Sequence, residues 1–393
     1  MKGIPGVEMD VTFQPQLLRW ARERAGLTDE GLAGELRVPL ARVHAWEQTG
    51  KMRFSQAEKL AAVTRTPFGY LFLSEPPDDR LPITDFRTVG DASVRHPSPD
   101  LLETIQTMQL RQAWMRDFLI EDGETLLPFV RSATLQDQPR AVAAAMRKTL
   151  GVERGWAADV HTWSDALLLL REKIEAARIL IVINGVVGNN NHRKLDPEEF
   201  RGFVLSDAIA PLIFVNGADA KAAQMFTFAH ELAHLWLGVD GVSDLDPLQP
   251  QHAQRQPVEQ FCNGVAAEFV VPEHELKEYW AGARKQNEPF QDLARHFKVS
   301  PIVAARRALD AGLISRKAFS DFYSTYVKDE RHTRSARKGG GSFWLNQNVR
   351  IGKRFGVAVV RAAKEGRLLY QQAYQLTGLR GNTFDQFAKN LGY

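Results

Sequence analysis

The stretch of residues 224–237 constrains this chain most, because it holds the pattern His-Glu-Leu-Ala-His without glycine or proline before Gly238. As a helix, it places His230 and His234 one turn apart on the same face. Two imidazoles in this arrangement can both bind one Zn²⁺ at about 2.0–2.1 Å. Glu231 then projects beside them, where it can hold and deprotonate a water. The pattern also occurs by chance in core helices, so a metal site requires a third ligand.

Glu259 is the candidate for the third ligand, at the start of a second predicted helix that ends before Pro272. A carboxylate binds Zn²⁺ at about 2.0–2.2 Å, and two histidines with one glutamate leave a fourth position open for water. Asn263 follows one turn later and could hydrogen-bond one of the ligands. The alternative is that Glu259 is a solvated residue at a helix start. For Cys262 we expect a packed thiol of the core.

Apolar runs before this helix predict a small sheet, with strands at 178–183, 200–205 and 211–215. We expect the strand at 211–215 to be an edge, to which an extended peptide could add itself. Beyond Gly238 the polar composition predicts a loop that leads to the second helix.

Residues 10–76 predict a bundle of short helices. Pro15 suits a first helical position and Thr28 suits an N-cap. Ser55 begins a capping-box pattern and therefore predicts the start of a fourth helix. The apolar spacing from Leu27 onward is that of a helix-turn-helix core.

The third helix of this bundle would present Arg42 and His44 as the polar side chains able to contact bases. The helix before it carries Asp29, Glu30 and Glu35, which would repel phosphates. Two roles therefore stay open for residues 10–76, namely DNA binding and protein docking or dimerisation.

Composition excludes several classes of protein. A net charge of +3 is too small to imply wholesale binding to nucleic acid or membrane. No apolar run approaches the roughly 20 residues that span a bilayer, and the N-terminus lacks a signal-peptide core. The single cysteine rules out an internal disulfide framework. These features predict a cytoplasmic protein without membrane contact.

The remaining segments predict helices. Residues 77–177 form a helical bridge, and a glycine-rich linker at 339–341 precedes further helices within the segment 335–393. An apolar stripe in this C-terminal segment needs a partner. It could be the rest of the chain, a second protomer in a homodimer, or a toxin.

Several motifs within residues 178–315 resemble the ImmA/IrrE metallopeptidase family. They are Phe-Arg-Gly-Phe from 200, Pro-Leu-Ile-Phe-Val-Asn from 211, Phe-Thr-Phe-Ala-His-Glu-Leu-Ala-His from 226 and the run from 259 to 272. The resemblance implies a zincin-like fold with a glutamate base, here Glu231, and with His230, His234 and Glu259 as zinc ligands. It also implies cleavage of a repressor-like protein.

Residues 10–76 resemble the Cro/repressor-like (xenobiotic response element) helix-turn-helix family, whose third helix enters the major groove. This domain order is also similar to predicted antitoxins of two-gene toxin systems. The whole chain is therefore predicted to be α+β, mostly α, with a helix-turn-helix bundle, a peptidase domain with a small sheet and a C-terminal helical segment. The predicted function is a zinc-dependent metalloendopeptidase that cleaves a repressor-like or toxin-like partner. The alternative is a non-proteolytic DNA-binding regulator or antitoxin.

Overall fold

The computed structural model describes residues 9–78, 80–85, 97–243, 257–334 and 343–393. The chain divides into two compact units, one made of residues 1–82 and 92–106 and the other of 83–91 and 107–393. In chain order the elements are β1 Asp10–Thr12, α1 Pro15–Arg24, α2 Asp29–Leu36, α3 Leu40–Thr49, β2 Lys51–Arg53, α4 Phe54–Val63, a 3-10 helix Phe68–Phe72, α5 Pro99–Glu121, α6 Pro139–Leu150, α7 Trp163–Ala176, β3 Leu180–Asn184, β4 Gly202–Leu205, β5 Leu212–Asn216, α8 Lys221–Leu237, β6 Gly241–Ser243, α9 Pro257–Val270, α10 Glu273–Ala283, α11 Pro289–Phe297, α12 Pro301–Asp310, α13 Arg316–Arg334, α14 Phe343–Ile351, α15 Lys353–Lys364, α16 Tyr370–Thr377 and α17 Asn382–Asn390. The described residues are mostly helical with small sheets, as predicted. None of their helices is both long and apolar enough to cross a bilayer.

The first unit packs α1 to α4 around one core, to which each helix contributes buried apolar side chains. α1 begins at Pro15, and the Thr28 hydroxyl accepts the Gly31 N–H at 3.0 Å, so both predicted helix starts are confirmed. α4 begins one residue before Ser55, and no side chain caps it, so the predicted capping box is wrong. Arg53 is the N-cap residue instead, in an extended conformation, so Phe54 and not Ser55 is the first helical residue, and the Phe54 ring packs edge-on against Phe68 with centroids 5.0 Å apart.

A short ribbon in the first unit was not predicted. Its strands β1 and β2 pair antiparallel, with Val11 opposite Met52. Each strand has three residues, and this length is too short to show the alternation of buried and exposed positions that marks a strand in a sequence.

The second unit contains a four-stranded sheet in the order β3-β5-β4-β6. β3 and β5 run parallel, while β4 is antiparallel to both β5 and β6. The strands predicted at 178–183, 200–205 and 211–215 are confirmed as β3, β4 and β5. β6 lies where we predicted a loop.

The predicted edge strand is wrong, because β5 is paired on both sides. The outer strands are β3 and β6, and the chain itself lies against both. The N–H of Val242 in β6 donates to the Thr84 carbonyl at 3.0 Å. Next to β3, a Cβ on Gly352 would lie 2.5 Å from the Ile181 carbonyl oxygen, so only glycine lets the backbone pass this close.

The C-terminal helices pack within the second unit, where Val360, Ala363 and Leu368 of the apolar stripe are buried, whereas Leu369 of the same stripe is 69% exposed. Phe355 of α15 is buried, and its ring contacts Trp114 of α5 at a centroid distance of 5.7 Å. Arg111 of α5 donates to the carbonyls of Leu376 and Arg350 at 2.8 and 3.2 Å. The linker predicted at 339–341 lies outside the described residues.

Candidate metal centre

α8 carries the His-Glu-Leu-Ala-His pattern through the middle of the second unit. It packs against β4, β5, α6, α7 and α9, and nearly all of its last three turns are buried. The helix ends at Gly238, which adopts a left-handed conformation with φ of 70°. His230 and His234 are fully buried on the same face, with their Nε2 atoms 3.0 Å apart.

Glu259 of α9 completes the group, although it is 25 residues beyond His234 in the sequence. Its Oε2 lies 3.4 Å from Nε2 of His230, and its Oε1 lies 3.1 Å from Nε2 of His234. Glu259 is 8% exposed. The three residues, called the ligand group below, each offer an atom within 4.8 Å of the others and could hold a metal ion.

The chemistry of this group fits a metal ion. Ligand atoms at about 2.0–2.2 Å from a tetrahedral Zn²⁺ lie about 3.3–3.5 Å apart, close to the separations observed here. Nδ1 of His230 has no hydrogen-bond partner among the described residues, so the hydrogen-bonding capacity of this buried ring is not fully used. Burial lowers the pKa of His234, which favours the neutral ring that binds metals. Burial raises the pKa of Glu259, but the two histidines lower it by a larger amount. The net result is a pKa below the ordinary value of a glutamate.

Glu231 lies beside the ligand group and is fully buried. Within the described residues, neither of its carboxylate oxygens has a hydrogen-bond partner of good geometry. Burial raises the pKa of Glu231 well above its ordinary value, the charge of Glu259 raises it further, and the Ser243 hydroxyl lowers it. Among the described residues, no lysine or arginine bonds to this carboxyl, which lies next to the three residues that could hold a metal ion.

Sequence analysis missed Gly202 and Ser243, which the fold places next to Glu231. A Cβ on Gly202 of β4 would lie 3.0 Å from Oε1 of Glu231. Ser243 of β6 is fully buried and pairs with Gly202 across the sheet. The glycine inside a predicted strand was the available signal, because glycine there often marks a close approach.

The structure also gives the environment of the other predicted residues. Asn263 is half-buried on α9, one turn after Glu259. Cys262 is fully buried, as expected, and burial raises the pKa of its thiol well above the ordinary value, with Glu259 and Glu231 raising it further.

The two residues predicted to contact DNA lie on α3 of the first unit. Arg42 and His44 are both exposed. The Nε2 atom of His44 lies 3.1 Å from Oδ2 of Asp29, so this imidazole is hydrogen-bonded to an acidic residue of the same unit.

Comparison with known proteins identifies part of the chain. Residues 175–309 match the Peptidase M78 family model, the IrrE N-terminal-like domain. The match supports the ImmA/IrrE resemblance and a metallopeptidase-type function for this IrrE-like domain. Residues 351–390 match a domain of unknown function (DUF8813). No curated protein and no solved structure matched the chain. Neither family match reaches residues 10–76, so the helix-turn-helix assignment stays a prediction.

Proposed function

We propose that the IrrE-like domain is a zinc-dependent endopeptidase that cleaves a repressor-like or toxin-like protein. The observation that carries this proposal is the convergence of His230, His234 and Glu259 in a buried group, with Glu231 beside it. Two histidines and one glutamate form the ligand set that leaves one metal position open in catalytic sites, whereas structural zinc sites usually have four protein ligands.

The protein's own residues then have separate tasks. His230, His234 and Glu259 would hold the ion, and a bound Zn²⁺ supplies a Lewis acid that polarises a carbonyl and activates a water. Glu231 would accept the proton of the attacking water and deliver it to the leaving amine. Its burial suits this task, because a carboxyl with a raised pKa holds a proton more readily than an exposed one.

The test compares the metal-loaded protein with Glu231→Gln in an extract of the source cells, followed by sequencing of newly formed protein N-termini. We expect N-termini that appear with the unmodified protein, disappear with a chelator, and fall by about 10²- to 10⁴-fold with Glu231→Gln. Glu172→Gln, which changes an exposed acid of α7, is the matched control and should leave cleavage unchanged. Equal cleavage by Glu231→Gln would contradict the proposal.

A second candidate function is a non-proteolytic regulator or antitoxin that acts through residues 10–76. The observation in its favour is burial, since His230, Glu231 and His234 are completely inaccessible and Glu259 is nearly so. In that case the metal would support the fold alone. Repression or toxin neutralisation by Glu231→Gln at the full level would favour this candidate.

DNA binding within this second candidate has its own test. A gel shift with DNA from upstream of the gene should weaken with Arg42→Ala if α3 enters the major groove. Glu35→Ala on the neighbouring helix is the matched exposed control, and it should strengthen binding slightly by removing a charge that repels phosphate. Unchanged binding by Arg42→Ala would favour protein docking instead.

A further inference from the structure

Gly202 occupies a position of β4 where three other groups leave no room for a side chain. A Cβ built there would lie 2.7 Å from Cγ2 of Thr227, 3.0 Å from Oε1 of Glu231 and 3.0 Å from the Phe214 carbonyl oxygen. Gly202 is not among the glycines with positive φ. Its backbone would therefore accept alanine, and the need for glycine comes from space alone.

The carboxylate of Glu231 has few other restraints on its position. No N–H or O–H of good geometry reaches either oxygen within the described part of the chain. Ser243, on the strand that pairs with Gly202, presents the nearby hydroxyl that lowers the pKa of this carboxyl. Packing against β4 therefore sets where the carboxylate lies.

We propose that Gly202 is a positioning residue for Glu231, in that its missing side chain provides the space in which the carboxylate sits beside the ligand group. This inference rests on the proposed peptidase function for its catalytic consequence. A methyl group at position 202 would displace Oε1, while none of its three close neighbours is a metal ligand.

The variant Gly202→Ala should therefore keep the metal and lose part of its activity. Because a misplacement of about 1 Å can cost about 100-fold in rate, a shift of a few tenths of an ångström should lower kcat by about fourfold to tenfold. We expect KM and the metal affinity to change by less than about threefold, since the ligand group is untouched. A parallel loss of metal would show a general structural defect and would overturn the proposal.

Thr227→Ser provides the matched control for strain on α8. The serine keeps the hydroxyl that donates to the Ala223 carbonyl at 3.1 Å, but it lacks the Cγ2 atom of the 2.7 Å contact. If Gly202→Ala acts through Glu231, the double variant with Thr227→Ser stays defective. Full recovery of kcat in the double variant would place the effect on Thr227 and overturn the proposal.

Two measurements need no substrate and so separate this inference from the proposed function. Crystal structures of the metal-loaded parent and of Gly202→Ala should show the Glu231 carboxylate moved by a few tenths of an ångström or in another rotamer. An unmoved carboxylate, with only Phe214 or Thr227 shifted, would overturn the inference. If the parent protein cleaves nothing, the peptidase proposal fails while these coordinates still decide the role of Gly202.

The second measurement covers the case in which Gly202→Ala fails to fold. Glu231→Ala removes the carboxylate, so Gly202→Ala should lower the melting temperature less in the Glu231→Ala protein than in the parent, although the contacts with Thr227 and Phe214 remain. An equal loss of melting temperature in both proteins would overturn the inference.

Discussion

Each unit of the chain buries a cluster of ionisable side chains, and the two clusters differ in whether they are complete. In the first unit, Arg22 has Nε 2.6 Å from Oε1 of Glu47 and 2.9 Å from Oδ1 of Asp29. Its Nη2 bonds the other oxygen of Glu47 at 3.1 Å, and its Nη1 donates to the Leu27 carbonyl at 3.1 Å. The hydrogen bond to Glu47 is the largest cause that raises the pKa of Arg22.

The cluster in the second unit has two carboxylates and two imidazoles, and among the described residues no lysine or arginine pairs with Glu231 or Glu259. Glu259 pairs with the two histidines, whereas Glu231 lies buried without a cationic partner, which is costly for its charged form and raises its pKa. The cluster that completes its own pairs is therefore structural, whereas the second cluster contains a group that could hold a metal ion.

The largest effect should come from breaking the complete cluster. Glu47→Gln leaves the buried guanidinium of Arg22 without its main partner, so we expect a loss of about 3–5 kcal/mol in the free energy of unfolding of the first unit. Chemical denaturation followed by hydrogen exchange of α1 and α3 would measure it, because the chain's eight tryptophans are spread over both units and their fluorescence would not separate them.

The control for this prediction replaces both members of the pair. Arg22→Met with Glu47→Met leaves no uncompensated charge between them, so it should destabilise less than Glu47→Gln. A double variant that is less stable than the single one would mean that the pair itself, rather than the unpaired charge, carries the stability.

The next effect concerns the incomplete cluster. His234→Ala removes a ligand, so Zn²⁺ should bind more than about 100-fold more weakly, beyond the roughly 10- to 100-fold loss typical of groups that only orient a ligand. Competition with a metal indicator measures the affinity. His44→Ala, which removes an exposed histidine of the first unit, is the control, and equal weakening there would contradict the site.

Removal of the metal should separate the two units by stability. At a free Zn²⁺ concentration of about ten times Kd, binding stabilises the second unit by about 1.4 kcal/mol, whereas the first unit gains nothing. Thermal unfolding with and without chelator measures the overall effect. Hydrogen exchange of α8 and of α3 under the same two conditions then shows which unit is affected. A chelator effect confined to α3 would reverse the comparison.

The smallest expected effect is at Cys262. Burial raises the pKa of its thiol well above the ordinary value, so the reactive thiolate is absent at neutral pH. Iodoacetamide at pH 7 should leave the folded protein unmodified over hours and should label it only after unfolding. Rapid labelling of the native protein would mean that the interior near Glu259 opens readily.

Sequence reasoning found the parts of the site that follow from local pattern. The pair His230 and His234 depends on helical spacing within a few residues, and the strands β3, β4 and β5 have strong apolar runs. Glu259 needed the assumption that two helices meet, and the structure supports that assumption by its distances to both histidines.

The sequence could not predict features that depend on packing between distant segments. β6 has three residues and precedes a polar stretch, so nothing in its composition marked a strand. The role of β5 as an inner strand depends on which strands pair, which the apolar pattern of β5 does not determine. The closeness of Gly202 to Glu231 likewise exists only once β4 and α8 pack together.

The covered margins of the sheet have a consequence for the protein at high concentration. Exposed outer strands are templates onto which other molecules can grow as aggregates. Here the Val242 amide is bonded by Thr84, and Gly352 presses against the carbonyl of Ile181. Among the described residues, the chain itself thus lies against both outer strands, with Asp85 bridged to Val242 at one of them, and leaves less of their backbone open to pairing with another molecule.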